Sequence, residues 1–214
     1  MSVNKEKIKN IVWLGHASFR IESSGGTVIY IDPYKLKSPE KKADAILVTH
    51  DHFDHCSKED IEKIAKPNTE VFGPSSVKKS GLNLKFNEMS PGQRQAFKDM
   101  EIEAVHSYNT DKNFHPKNSG NLGYIIAVDG VRIYHAGDTD YIPEMKGIKT
   151  DVALLPVGGT YTMDVNAAIE AAKAISPGIA VPMHWGSIVG SREDAMRFRT
   201  LCAACEVEIL DPEK

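Results

Sequence analysis

Residues 45–60 read A-I-L-V-T-H-D-H-F-D-H-C-S-K-E-D. The apolar run Ala45 to Val48 reads as a buried strand. Ser57 with Asp60 three residues on resembles a capping box, and Ile61, Ile64 and Ala65 then fall on one face at helical spacing. The predicted local order is therefore strand, polar turn, helix. The turn holds Thr49, His50, Asp51, His52, Phe53, Asp54 and His55, so three imidazoles and two carboxylates crowd one short connection. In extended backbone, residues two apart project to the same side, so His50 and His52 can converge on one cation. The bend toward the helix aims Asp54 and His55 at a neighbouring point, where a helix N-terminus favours negative charge. Zinc takes imidazole and carboxylate ligands and, at a catalytic centre, keeps a position for water.

Four local ligands do not complete two such centres. Further donors stand where distant apolar runs end: His106 after Ile102 to Val105, Asp138 after Val131 to Tyr134, and His184 after Ile179 to Val181. Core packing explains one such residue more easily than three. Other apolar runs read as strands at Ile11 to Leu14, Phe19 to Ile21, Thr27 to Ile31, Glu70 to Phe72, Met100 to Val105, Gly123 to Val128, Val152 to Leu155 and Val207 to Leu210. A second helix is expected from Val165 to Ile175, capped by Asp164 and ended by Ser176-Pro177-Gly178. A third begins near Ser191, with Ala195, Phe198, Leu201, Cys202 and Cys205 as its apolar stripe. The stretch Ser107 to Asn121 reads as a long irregular loop and a candidate pocket wall.

The chain has 214 residues, 41% of them hydrophobic and 26% charged, with a formal charge of -3. This suits one compact domain over residues 1–214, and the acidic balance disfavours a nucleic-acid partner, which would require a dense basic face. The start, MSVNKEKIKN, is basic but leads into no apolar core. Neither a secretory peptide nor a membrane span is expected, and the expected location is the cytoplasm. Cys56, Cys202 and Cys205 are odd in number and lack the spacing of a disulfide framework, which fits a reducing compartment. The Cys202 and Cys205 pair reads as packing rather than as a redox motif. No oligomeric state is read from the chain.

His50, His52, Asp54 and His55 fill the pattern His-x-His-x-Asp-His without a gap, and here the sequence resembles the metallo-β-lactamase superfamily. W-L-G-H-A-S-F from Trp13, Y-I-D-P from Tyr30, H-A-G-D-T-D from His135 and L-P-V-G-G from Leu155 look like the branch containing the ascorbate-6-phosphate lactonase. The resemblance implies an α/β fold, a four-layer αββα sandwich of two mixed sheets face to face with helices outside. It also implies that His50, His52 and a third histidine hold one metal, that Asp54, His55 and His184 hold the other, and that Asp138 bridges them. His106 and His115 compete for the third position. His106 is preferred because a ligand fixed at a strand end is better preorganised than one in a flexible loop. Antibiotic-hydrolysing members generally lack a histidine at the place of His55, and flavodiiron proteins carry Glu at the place of His52. The first departure argues against β-lactam hydrolysis, and the second favours hydrolysis over redox chemistry.

The cofactor expected is therefore two divalent ions, zinc foremost, with manganese or iron compatible with the same nitrogen and oxygen donors. Such a site would activate a hydroxide against a small anionic ester or lactone, with Asp54 and Asp138 as the catalytic carboxylates. Asp32 and His16 are candidates to orient the ligands from behind, while His135 reads equally as a structural histidine. Lys112, His115, Lys117, Thr160 and Tyr161 are candidates to receive the substrate. Phosphodiester or nuclease chemistry on the same fold, and a non-catalytic metal-binding regulatory module, are the competing expectations.

Overall fold

The computed structural model describes residues 3–37 and 41–213. Met1, Ser2 and Lys214, at the ends of the expected domain, lie outside the described residues. After helix α1 (Val3–Ile8) come β1 (Ile11–Gly15), β2 (Ser18–Glu22), β3 (Val28–Ile31), β4 (Ala45–Leu47), helix α2 (Lys58–Ile64), β5 (Glu70–Gly73) and β6 (Lys85–Glu88). These six strands form one sheet in chain order, antiparallel from β1 to β3 and parallel from β3 to β6. The second half of the chain repeats that plan. It lays down β7 (Arg94–Phe97), β8 (Met100–His106), β9 (Leu122–Val128), β10 (Val131–His135), β11 (Val152–Pro156), helix α3 (Val165–Ile175), β12 (Ile179–Met183), helix α4 (Arg192–Leu201) and β13 (Glu206–Val207). Again the sheet follows chain order, antiparallel from β7 to β10 and parallel from β10 to β13. Helices α2, α3 and α4 fall between parallel neighbours because a parallel pair needs a crossover connection.

The burial pattern of β3 and β4 sets the layers. Ile29, Ile31, Ala45 and Leu47 join a core shared with Ile102, Tyr124, Ile133 and Leu154 of the second sheet. The residues between them, Tyr30, Ile46 and Val48, pack instead with Ile61 and Ile64 of α2. Alternate side chains point to opposite faces of a strand, so the first face meets the other sheet and the second meets a helix. Ala168, Ala172 and Phe198 of α3 and α4 cover the outer side of the second sheet. The result is the αββα sandwich. Ser57 caps α2 by accepting from Asp60 N, Asp164 caps α3 by accepting from Ala167 N, and Ser191 and Asp194 form a capping box on α4.

Two strands add to those expected, and two expectations differ from the structure. Strands β6 and β7 carry no apolar alternation, because they are the outer strands of their sheets and lie largely exposed. Helix α4 ends at Leu201, which is exposed, so Leu201 and Cys205 do not continue the stripe of Ala195 and Phe198. The loop after β8 is not wholly irregular, since Lys117–Ser119 forms a 3-10 turn. Among the described residues no helix is long and apolar enough to cross a membrane.

Candidate metal centre

Both sheets deliver donors to one rim of the sandwich. From the turn after β4, His50 Nε2 and His52 Nδ1 lie 3.0 Å apart, and His115 Nε2 comes within 3.2 Å of the same His52 nitrogen. His16, Asp54, His55 and His184 form a second group with donor atoms within 4.8 Å of one another. Asp138 stands between the groups. Its Oδ1 is 3.4 Å from His55 Nε2, while its Oδ2 is 3.1 Å from His184 Nε2 and 3.6 Å from His115 Nε2.

Loop residue His115, not His106, completes the first group. His106 ends β8 beside a different cavity, lined in part by Arg94, Arg132 and Glu144, and its ring faces Tyr108. The preference for a strand end failed because the loop is not loose at this point. Asn109 N donates to the His115 carbonyl at 2.7 Å, and Asn109 Oδ1 accepts from His115 N and lies 3.1 Å from His115 Nδ1. Asn109 Nδ2 donates in turn to the Tyr161 carbonyl at 3.0 Å. One buried amide thus fixes the backbone and ring of the histidine and ties both to the opposite loop. Asn109 carried no signal in the sequence beyond its place in a polar stretch.

Asp32 organises the turn from behind. It is fully buried, accepts from Thr49 N at 2.8 Å and Thr49 Oγ1 at 2.7 Å, and lies 2.7 Å from His55 Nδ1. Because the Thr49 hydroxyl donates to Asp32, it accepts from His50 Nδ1 at 2.9 Å. Both imidazoles are thereby turned with Nε2 toward the cluster, the arrangement by which outer hydrogen bonds fix a ligand's tautomer and raise its basicity. The sequence marks Thr49 as part of the site only by its position directly before His50. His16 acts on Asp54 through a 3.0 Å contact from Nε2 to Oδ2, while its carbonyl accepts from Trp13 Nε1 and His184 N. His135 is structural: Nε2 donates to the Ala17 carbonyl and Nδ1 accepts from Gly137 N.

Backbone strain gathers here. His16, Asp32 and His184 have φ of 52°, 46° and 58°, and a non-glycine residue held in this region costs about 1–3 kcal/mol. Gly137, just before Asp138, has φ 65°, and a Cβ there would lie 2.7 Å from the Leu122 carbonyl oxygen. Only glycine lets the chain pass close enough to present Asp138.

Charge is arranged to suit a cation. Burial would raise the Asp138 carboxyl, but His184 and His55 outweigh it and hold Asp138 well below the usual carboxylate range. Burial would lower His55, yet Asp138 and Asp32 raise it well above an ordinary histidine. Burial keeps His50, His16 and His115 below theirs, and so neutral. Neutral imidazoles and ionised carboxylates are the forms that bind metals, so His50, His115 and Asp138 stand ready, whereas His55 would give up its Nε2 proton when a cation binds. The fit is tested by the atoms left over. His55 Nε2, Asp138 Oδ1 and both ring nitrogens of His184 are buried without a hydrogen-bond partner of adequate alignment among the described residues. Buried polar atoms are ordinarily paired, and here His55 Nε2 and His184 Nε2 both face the Asp138 carboxylate, so the donor set fits divalent cations.

The expected substrate contacts divide. Lys112 pairs with Asp140 and Asp111, and Lys117 pairs with Glu144 and contacts the Tyr108 hydroxyl, so both ammonium groups are engaged by carboxylates. Thr160 is exposed, whereas Tyr161 lines the cavity above the cluster.

Residues 10–184 match the family described as a Beta-lactamase superfamily domain. The chain is 37% identical over 220 residues to a UPF0173 metal-dependent hydrolase of Thermoplasma acidophilum, with 95% of each protein covered. Among solved structures it is similar to a protein of Parabacteroides distasonis, with TM-score 0.83, 34% identity and coverage of 95% of this chain and 93% of that one. It is also similar to Igni18, a novel metallo hydrolase from Ignicoccus hospitalis, with TM-score 0.78, 26% identity and 95% of both chains covered.

Proposed function

Given that the chain belongs to the beta-lactamase superfamily and, within it, to the UPF0173 metal-dependent hydrolases, we propose that it hydrolyses a small ester or lactone. The scissile carbonyl would sit over the cluster of His50, His52, His115, Asp54, His55, His184 and Asp138. The observation that carries this reading is the Asp138 carboxylate, buried and ionised between two sets of inward-facing donors. His50, His52 and His115 would hold one cation and Asp54, His55 and His184 a second, with Asp138 facing both. Zinc, manganese and iron all suit these ligands.

When bound, such cations supply an acidified water and a Lewis acid for the reacting oxygen. The protein's own groups do the rest. Asp138 Oδ1, which has no well-aligned hydrogen bond and lies 3.4 Å from His55 Nε2, would accept a hydrogen bond from the attacking water and orient it. His16 keeps Asp54 from turning away, and Asp32 keeps His55 from rotating. Two divalent ions less the charges of Asp54 and Asp138 leave a positive centre, which favours negative charge developing at the substrate oxygen. An anionic substrate is therefore supported by the centre itself, since Lys112 and Lys117 are engaged elsewhere. The motifs beginning at Trp13, Tyr30, His135 and Leu155 support the lactonase-like branch.

Metal analysis joined to a substrate panel tests the proposal. Protein loaded with zinc or manganese should turn over esters or lactones, and Asp138→Ala should remain folded, lose most of its metal and fall in kcat/KM by about a hundred- to a thousandfold. Brisk cleavage of bis-substituted phosphodiesters with inert esters and lactones would move the protein to phosphodiester chemistry. A full metal complement with no turnover of any of these would favour a regulatory binding module.

A further inference from the structure

Among the described residues five large hydrophobic side chains are exposed: Phe53, Phe114, Ile188, Met196 and Leu201. Three of them, Phe53 at 68%, Phe114 at 51% and Ile188 at 37% exposure, line a single cavity of about 360 Å³ directly above the metal-ligand cluster. The other lining residues are His52, Asp54, His115, Asp138 and Tyr161. All the strongly polar groups of this cavity therefore belong to its floor, and the walls are aromatic and aliphatic. Neither lysine nor arginine is among the lining residues.

The walls are built by the segments that carry the donors. Phe53 lies between His52 and Asp54, Phe114 immediately precedes His115, and Ile188 follows His184 by four positions. Two of the rings are held in place: Phe114 meets Tyr161 edge-on with centroids 4.7 Å apart, and Phe53 meets Tyr34 edge-on at 5.9 Å. Scattered exposed hydrophobics need no explanation, but a contiguous set around a polar floor marks a ligand groove. The cavity's size is that of a small-molecule site.

We infer that the cavity binds an apolar alkyl or aryl group of the substrate, tethered to the scissile ester or lactone that the metal-ligand cluster receives. This rests on the hydrolytic reading and narrows it: the substrate is a hydrophobic carboxylic ester or lactone rather than a phosphorylated sugar or a nucleotide. Any negative charge is met at the floor, and none is expected along the walls, where burial of an ionic group would go uncompensated.

Two measurements on the metal-loaded protein separate this inference from the reading beneath it. The first is calorimetric binding of straight-chain carboxylates from acetate to octanoate, with phenylacetate and inorganic phosphate for comparison. Affinity should rise about two- to fourfold per methylene over the first few carbons, the range expected for partial to full burial of each group. In Phe114→Ser and Ile188→Ser that slope should flatten while metal content stays at the wild-type value. The second is kcat/KM for esters of the same acids, which should follow the same order. A binding slope without ester turnover would overturn the hydrolytic reading but keep the apolar cavity. Ester turnover with no dependence on chain length, or phosphate binding more tightly than octanoate, would overturn the cavity assignment and leave hydrolysis standing.

Discussion

The turn at residues 49–55 and the loop at residues 107–121 both bring histidine to the same cluster, by opposite means. The turn leaves the end of a buried parallel strand and supplies His50, His52, Asp54 and His55 within a few residues. The loop wanders between β8 and β9 and supplies His115 alone. Yet His115 is as buried as His50, at 1% exposure for each. Preorganisation in this protein follows from hydrogen bonds to buried side chains and does not require regular secondary structure. Asp32 fixes the turn and Asn109 fixes the loop.

Removing Asp32 should produce the larger effect. In Asp32→Ala the buried Thr49 amide and hydroxyl and the His55 ring lose their shared acceptor together. A cost of about 3–5 kcal/mol is expected, comparable with removing one partner of a buried charged pair. The denaturant midpoint should drop sharply, and the protein that remains folded should bind metal at least about 10–100-fold more weakly. Wild-type stability in this variant would mean that the turn is held by its strand and helix alone, and the contrast between the regions would disappear.

Asn109→Ala should act locally. It removes the acceptor of His115 N and Nδ1 and the donor to Tyr161, but the sheets on either side are untouched. Global stability should fall by about 1 kcal/mol, or roughly 2–4 °C in Tm for a chain of this size. Affinity for the cation shared by His50, His52 and His115 should weaken by about 10–100-fold. Stepwise metal titration would reveal this as one weakened step beside one unchanged. Equal weakening of both steps would show that the loop supports the whole centre.

The same contrast explains what could be read from the chain. The run from Ala45 to Ile64 carries its structure locally: an apolar strand, a dense ligand turn and a capped amphipathic helix follow one another without interruption. Asp138 and His184 were legible because each ends an apolar run, and α3 because Asp164 and Ser176 mark its ends. His115 is not distinguishable from His106 in the sequence because its placement depends on Asn109, whose role exists only once Tyr161 has been brought alongside by folding. Strands β6 and β7 were missed for a related reason. Outer strands need no two-faced apolar pattern, since pairing on one side and solvent on the other satisfy them. The aromatic walls were hidden as well, because Phe53 and Phe114 are separated by 61 positions in the chain and line one cavity only in the assembled sandwich.

The smallest predicted effect is the most discriminating for the two regions. His106 and His115 lie on either side of one loop boundary, and only geometry distinguishes them. His106 is partly exposed at the end of β8, beside the cavity with Arg94, Arg132 and Glu144, and makes none of the donor contacts of the cluster. His106→Ala should therefore shift stability by no more than about 0.5 kcal/mol, as expected for a substitution away from buried polar networks. Metal content should be unchanged. His115→Ala, by contrast, should weaken the hold on the cation shared with His50 and His52, which would then have only Asp138 beside them as a protein ligand. If His106→Ala emptied a site that His115→Ala left filled, strand-end placement would outrank the hydrogen-bonded loop. The role given to Asn109 would then have to be abandoned, because a loop fixed so firmly would be holding a histidine that binds nothing.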